Sequence, residues 1–68
     1  MRLLIREVAE QRGFNMSSLS RASNVSFRTV KRLWKDPLAS ANTDTIERIA
    51  RALNVRVADL IDDRADED

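Results

Sequence analysis

The sequence predicts an all-α domain of five short helices, and three observations lead to that prediction. Apolar residues recur at the helical spacing of three and four residues, while the alternation typical of strands is nearly absent. Ser or Asn precedes several of these segments as a cap, and Gly or Asn follows them as a left-handed stop. With 68 residues the chain has room for only one hydrophobic core. Residues 1–61 are therefore predicted to form a compact domain, and residues 62–68 an acidic, solvated tail.

The first helix is predicted over about residues 4–12, because an apolar stripe runs along it and Gly13 follows it. The stripe consists of Ile5, Val8 and Ala9. Leu3 and Leu4 fit either an extension of this helix or a short extended lead-in, and the spacing leaves both open.

The second helix is predicted over about residues 16–23, with Asn15 as its N-cap and Asn24 as its left-handed stop. Its expected inward residues are Leu19 and Ala22. The third helix is predicted over about residues 27–35, capped by Ser26 and ended before Pro37, which disfavours helical geometry in the preceding residue.

Residues 36–42 form the only predicted loop, and Asn42 is expected to cap a fourth helix that Asn54 ends. The inward side of this helix is predicted to hold Ile46, Ile49, Ala50 and Leu53. A short fifth helix is predicted over about residues 57–61, with Val57, Leu60 and Ile61 as its apolar residues.

The composition argues against catalysis, since the chain has no His, Cys or Tyr and Gly13 is its only glycine. The commonest general base, a thiolate zinc site and a Gly-rich phosphate loop are therefore all missing. The acidic tail lacks the central glycine and spacing of a calcium loop. We expect no enzymatic activity, no metal or other cofactor and no small-molecule ligand. The absence of any apolar stretch of about 18 residues predicts no membrane partner, and the cysteine-free chain is expected to be cytoplasmic.

The net charge of +1 conceals a strong asymmetry between the two halves of the chain. Residues 1–35 carry eight Lys or Arg and two Glu, a net charge of +6, whereas residues 36–68 carry four Arg and nine acids, a net charge of −5. Such an asymmetry indicates a basic face for a polyanion, although solubility alone can also produce it.

The segment from Phe14 to Lys35 has the spacing of a helix-turn-helix, two helices of about eight residues joined by a three-residue turn. Asn24 suits the left-handed start of that turn, Val25 its buried middle and Ser26 the cap that follows. Ser20 is small, as a close crossing of two helices requires.

A helical projection of the third helix separates an inner from an outer face. The inner face is expected to hold Thr29, Val30, Leu33 and Trp34. The outer face is expected to hold Phe27, Arg28, Lys31, Arg32 and Lys35, and it has no acid. Like charges at i,i+4 destabilise a helix unless an anion compensates them, and DNA phosphates and guanine edges can do so. The outer face therefore predicts binding to double-stranded DNA.

The chain resembles the lambda-repressor-like, Cro/XRE family of helix-turn-helix regulators over about residues 5–61. The matching segments are Gly13-Phe14-Asn15, Leu19-Ser20, Asn24-Val25-Ser26, Thr29-Val30, Arg32-Leu33, Thr45-Ile46, Ile49-Ala50 and Ala52-Leu53-Asn54-Val55. The resemblance implies a five-helix lambda-repressor-like fold with the helix-turn-helix at helices 2 and 3. It also implies a transcriptional regulator, expected to be a repressor that binds a two-fold operator as a homodimer.

The resemblance implies site residues by position, because the family's reading helix enters the major groove with its N-terminal residues on base edges. The expected base-reading residues are Phe27, Arg28, Lys31 and Arg32. The expected phosphate contacts are Met16, Ser17, Arg21, Ser26, Thr29 and Lys35, in part through backbone N–H groups at helix starts. Met16 stands where the family usually carries a phosphate-binding glutamine.

Several alternatives remain open from the sequence. The same fold could serve as a protein-interaction module, such as an antitoxin or adaptor, instead of binding DNA. Phe27 fits either contact with a thymine methyl group or packing against Trp34, and Trp34 is expected in the core rather than on a base or a partner. The acidic tail fits an inert solvated segment, or one that repels or mimics DNA. The fifth helix and Leu3-Leu4 are the candidates for a dimer surface, because they offer apolar residues near the chain ends.

Overall fold

The computed structural model describes residues 2–62, which form four α-helices, one 3₁₀ turn and two very short strands. The helices are α1 (Ile5–Gln11), α2 (Met16–Ser23), α3 (Phe27–Lys35) and α4 (Thr43–Leu53); the 3₁₀ turn is Val57–Leu60, and the strands are β1 (Arg2–Leu3) and β2 (Ile61–Asp62). The all-α prediction is confirmed in its mostly helical character. The predicted number of helices is wrong, since these residues contain four α-helices rather than five.

The segment predicted as a fifth helix forms a single 3₁₀ turn of four residues. Ile61 then leaves helical geometry, at φ −127° and ψ 129°, and enters β2. Four residues are too few to repay the cost of nucleating an α-helix. The Leu60 carbonyl instead accepts a hydrogen bond from the Leu4 N–H at 2.8 Å, so this end of the domain is held by pairing with the other end.

Strand β1 shows which of the two conformations predicted for Leu3 and Leu4, helical or extended, the chain adopts. β1 pairs antiparallel with β2, with Leu3 opposite Ile61 and Arg2 opposite Asp62, and Leu4 stands at the N-cap of α1. Leu3 therefore lies in an extended lead-in rather than in the helix. Asp62, which the sequence assigned to the tail, lies in β2, and the rest of that predicted tail falls outside the described residues.

Local capping chemistry sets the predicted ends of the central helices. The Asn15 side chain accepts from the Ser18 N–H at 2.8 Å, and the Asn15 N–H donates to the Ser18 hydroxyl at 2.9 Å, which completes a capping box. Asn42 caps α4 by accepting from the Thr45 N–H at 2.8 Å. Asn54 adopts the left-handed conformation that ends α4, with φ 58°. These caps and this stop confirm the boundaries predicted for α2 and α4.

The core lies where α1, α3 and α4 meet α2 and the 3₁₀ turn. Its fully buried large side chains are Ile5, Leu19, Val30, Leu33, Ile49, Leu53 and Leu60. The inward position predicted for Ala22 is wrong, because Ala22 is exposed and Ser23 is buried instead. A serine is tolerated there because its hydroxyl donates to the Leu19 carbonyl at 2.7 Å, so this buried hydroxyl has a partner. Within residues 2–62, the helices are too short or too polar to cross a membrane.

Candidate nucleic-acid interface

The turn between α2 and α3 is fixed by one backbone conformation and one side-chain hydrogen bond. Asn24 ends α2 in the left-handed region, with φ 59° and ψ 30°. Val25 follows with 9% of its surface exposed, and its carbonyl accepts from the Ser20 hydroxyl at 2.6 Å. Ser20 thus contributes more than the small size expected of it. It ties α2 to the turn, and so sets where α3 begins.

Replacing Asn24 by alanine should lower the free energy of unfolding by about 1 kcal/mol, because the left-handed region places Cβ close to the following carbonyl and alanine lacks the short polar side chain whose local hydrogen bonding compensates in asparagine. Asparagine bears this conformation better than alanine, and glycine bears it without that contact. The Asn24→Gly variant should therefore be more stable than Asn24→Ala, and its free energy of unfolding should lie close to that of the parent protein. Urea unfolding followed by circular dichroism measures both variants, and equal stability of the two would contradict the assigned role of the turn.

Helix α3 is anchored to the core through one side and exposes the other. Val30 and Leu33 are buried, and Thr29 and Trp34 are half-buried, as the projection predicts. The outer side chains are all exposed: Phe27, Arg28, Lys31, Arg32 and Lys35. We call these five residues the outer face of α3. Packing of the inner face holds the outer face in a fixed orientation relative to α2.

The charges of the outer face have no acidic partners among residues 2–62. The ion pairs that join two described residues lie within α1, within α4 and at the 3₁₀ turn. They are Arg6–Glu10 at 3.6 Å, Asp44–Arg48 at 3.0 Å and Arg56–Asp59 at 3.9 Å. Residues 11–35 contain six Lys or Arg and no Asp or Glu. Helices α2 and α3 with the turn between them, residues 16–35, are called the α2–α3 unit below. Its charges are all positive, which suits binding to a polyanion.

Two backbone N–H groups at the start of α2 are available to a ligand. The capping box uses the N–H groups of Asn15 and Ser18. The intervening N–H groups, those of Met16 and Ser17, have no carbonyl one turn before them and no other acceptor within residues 2–62. The Met16 side chain is half-buried and packs against the core, so at this position the predicted phosphate contact falls to the backbone N–H. Ser17 and Arg21 are exposed on the same helix.

The hydroxyl groups at the start of α3 are already linked to each other. The Ser26 hydroxyl accepts from the Thr29 N–H at 3.3 Å and shares a hydrogen bond with the Thr29 hydroxyl at 3.0 Å. One of the two hydroxyl protons is thereby used within the protein, and the other is left for an outside acceptor. Ser26 and Thr29 both stay predicted phosphate contacts.

Arg32 makes a hydrogen bond that the helical projection of α3 does not predict. Its Nη1 donates to the carbonyl of Ser40 at 2.8 Å, across to the loop between α3 and α4. Ser40 was not singled out from the sequence, because neither helical spacing nor a turn motif relates residues 32 and 40. Arg28, Lys31 and Lys35 make no hydrogen bond or ion pair through their side chains within residues 2–62.

The two aromatic side chains of α3 differ in exposure. Trp34 is half-buried and packs against the core, as expected. It also borders a cavity of about 320 Å³ between α1, β1 and the end of α3. Phe27 leaves 45% of its surface exposed at the first position of α3, so contact with a thymine methyl group stays a prediction.

Comparison with known proteins assigns this architecture to a family. No curated protein and no solved structure matched the chain. A family model described as the Cro/C1-type HTH DNA-binding domain matches residues 5–66, which include the whole α2–α3 unit and all of α4. Within residues 2–62 there is no cluster of His, Cys, Asp and Glu that could hold a metal ion. Because the match spans most of the 68 residues, the chain belongs to the Cro/C1-type family of helix-turn-helix DNA-binding domains.

Proposed function

We propose that this protein is a sequence-specific transcriptional regulator, acting as a repressor, that reads double-stranded DNA with α3 in the major groove. The observation that carries this proposal is the outer face of α3, an exposed row of cations without acidic partners on a helix anchored to the core. Family membership supports DNA as the polyanion. A cytoplasmic location, expected from the sequence, belongs to the same proposal.

The side chains of this surface fall into a base-reading group and a phosphate-binding group. Phe27 and Arg28 stand in the first turn of α3, the part of a reading helix that approaches base edges, and Lys31 lies one turn further along. Arg28 can form a bidentate pair with guanine, since its guanidinium has no partner within residues 2–62. The phosphate-binding group consists of Ser17, Arg21, Ser26, Thr29 and Lys35, together with the backbone N–H groups of Met16 and Ser17.

A homodimer on a two-fold operator is the second part of the proposal, because one reading helix covers only one half-site. Leu3 and Leu60, two of the apolar residues considered for the dimer surface, are buried within the domain and are not available to a partner. The number of chains bound to each duplex therefore tests the dimer. Sedimentation of the complex should show two chains for each duplex that carries a two-fold site.

The salt dependence of binding tests whether DNA is the partner. Duplexes selected from a random pool should bind with an affinity that falls by about 0.9 log units per log unit of salt for each phosphate neutralised. Of the proposed phosphate contacts of one chain only Arg21 and Lys35 are cations, and these two together should give a slope of about −2 on this relation. Fluorescence anisotropy at a series of salt concentrations measures it. The absence of any selected duplex would favour the protein-interaction module instead.

A further inference from the structure

The hydrogen bond from Arg32 to Ser40 joins the outer face of α3 to the loop formed by residues 36–42. The bond is short, at 2.8 Å, and it is charge-assisted because the donor is a guanidinium. Such bonds are stronger than those between neutral groups, and this one holds an exposed side chain that would otherwise sample many rotamers. The direction of the guanidinium is thereby set by a backbone carbonyl of the protein.

The beginning and the end of this loop have other supports, but its middle does not. The Leu38 N–H donates to the Asp36 carboxylate at 3.1 Å, the Ala39 N–H donates to the Asp36 carbonyl at 3.0 Å, and the Leu3 N–H donates to the Pro37 carbonyl at 2.7 Å. At the other end, Asn42 caps α4. Between Ala39 and Asn42, the bond from Arg32 is the only hydrogen bond within the described part of the chain.

We propose that Arg32 is a positioning residue of the DNA-binding surface: it fixes the α3–α4 loop against the reading helix, and its contribution to affinity is independent of base sequence. This inference rests on the proposed function and replaces the base-reading role that the sequence suggested for Arg32. Arg28 and Lys31, whose side chains have no partner within residues 2–62, keep that role. The outer face thus combines side chains free to read bases with one that is already committed to the fold.

The first test measures amide hydrogen exchange in the free protein, comparing Arg32→Met with Lys31→Met. Both variants remove one cation from the same exposed face and keep an unbranched stem, but only Arg32→Met removes the bond to Ser40. The amides of Ala39 and Thr45, one on each side of the supported carbonyl, should exchange about fivefold faster in Arg32→Met, the effect of one lost hydrogen bond. Lys31→Met should leave them unchanged. Equal exchange in the two variants would overturn the proposal.

The second test uses a panel of duplexes that differ from the selected site by one base pair each. Arg32→Met should weaken binding to every duplex by the same factor, about fivefold, and so preserve the order of preference. A base-reading residue would instead lose discrimination at one position, and that result would overturn the proposal. Failure of the parent protein to bind any duplex would reject the proposed function. The exchange measurement needs no DNA, so it would still test the contact between Arg32 and the loop.

Discussion

Replacement of Arg28 by alanine is expected to weaken binding to the selected duplex by about 1–3 kcal/mol, roughly 5- to 150-fold in Kd. Arg28 is exposed in the first turn of α3, and its guanidinium makes no ion pair or hydrogen bond within residues 2–62. A free guanidinium at this position can pair with O6 and N7 of one guanine, and a bidentate pair discriminates against other bases. The variant should therefore also lose preference at one base pair.

The measurement is a set of binding isotherms on the parent duplex and its single-base variants at one salt concentration. Arg56→Ala is the matched control, because it removes the same charge from an exposed arginine beside the 3₁₀ turn, away from the α2–α3 unit. The control should change affinity by less than about twofold, since a distant surface charge is screened by salt. If Arg28→Ala bound like the control and kept the full base preference, the assignment of the reading face would be wrong.

Leu33→Ala should destabilise the domain by about 2–5 kcal/mol, the usual cost of truncating a buried leucine. Leu33 anchors the inner face of α3 and exposes only 1% of its surface. A domain of 68 residues is expected to have a free energy of unfolding of about 3–10 kcal/mol. The substitution therefore removes a large share of the total, and it also releases the helix that presents the outer face. DNA affinity should fall even though Leu33 does not reach the surface.

Urea unfolding monitored by far-UV circular dichroism gives the free energy of unfolding of each variant. Leu38→Ala is the control, because it makes the same truncation at a leucine that is 73% exposed in the loop after α3. Exposed substitutions of this kind change stability by within about 0.5 kcal/mol. A loss of less than 1 kcal/mol in Leu33→Ala would mean that α3 is not held to the core through this side chain.

Much of the fold could be predicted because the signals are local. Asn15, Ser26 and Asn42 each accept a backbone N–H three residues ahead, a contact that depends on neighbours in the chain. Asn24 and Asn54 take up the left-handed conformation for the same local reason. The inner and outer faces of α3 follow from the helical period and the core on one side.

The incorrect predictions concern residues whose surroundings come from distant parts of the chain. Ile61 was expected in a helix, but it pairs with Leu3 in a sheet that joins the two ends of the described chain. The spacing of nearby residues does not predict this pairing, because its two partners are far apart in the sequence. Ser23 is buried where Ala22 was expected, because the rotation of α2 is decided by its packing against α3 and α4 as well as by its own pattern.

The sequence by itself determined the helix boundaries of the α2–α3 unit, the left-handed turn and the row of cations on α3. These features depend on residues within one or two helical turns of each other, and the spacing of residues along the sequence predicts such contacts. The tertiary structure alone decided which of those cations are free. Arg28 and Arg32 look equivalent on the projected helix, yet Arg32 is bound to Ser40 because the loop returns its carbonyl to within 2.8 Å of the guanidinium. The position of the Ser40 carbonyl depends on where α4 packs, and the residue spacing within α3 cannot predict that packing.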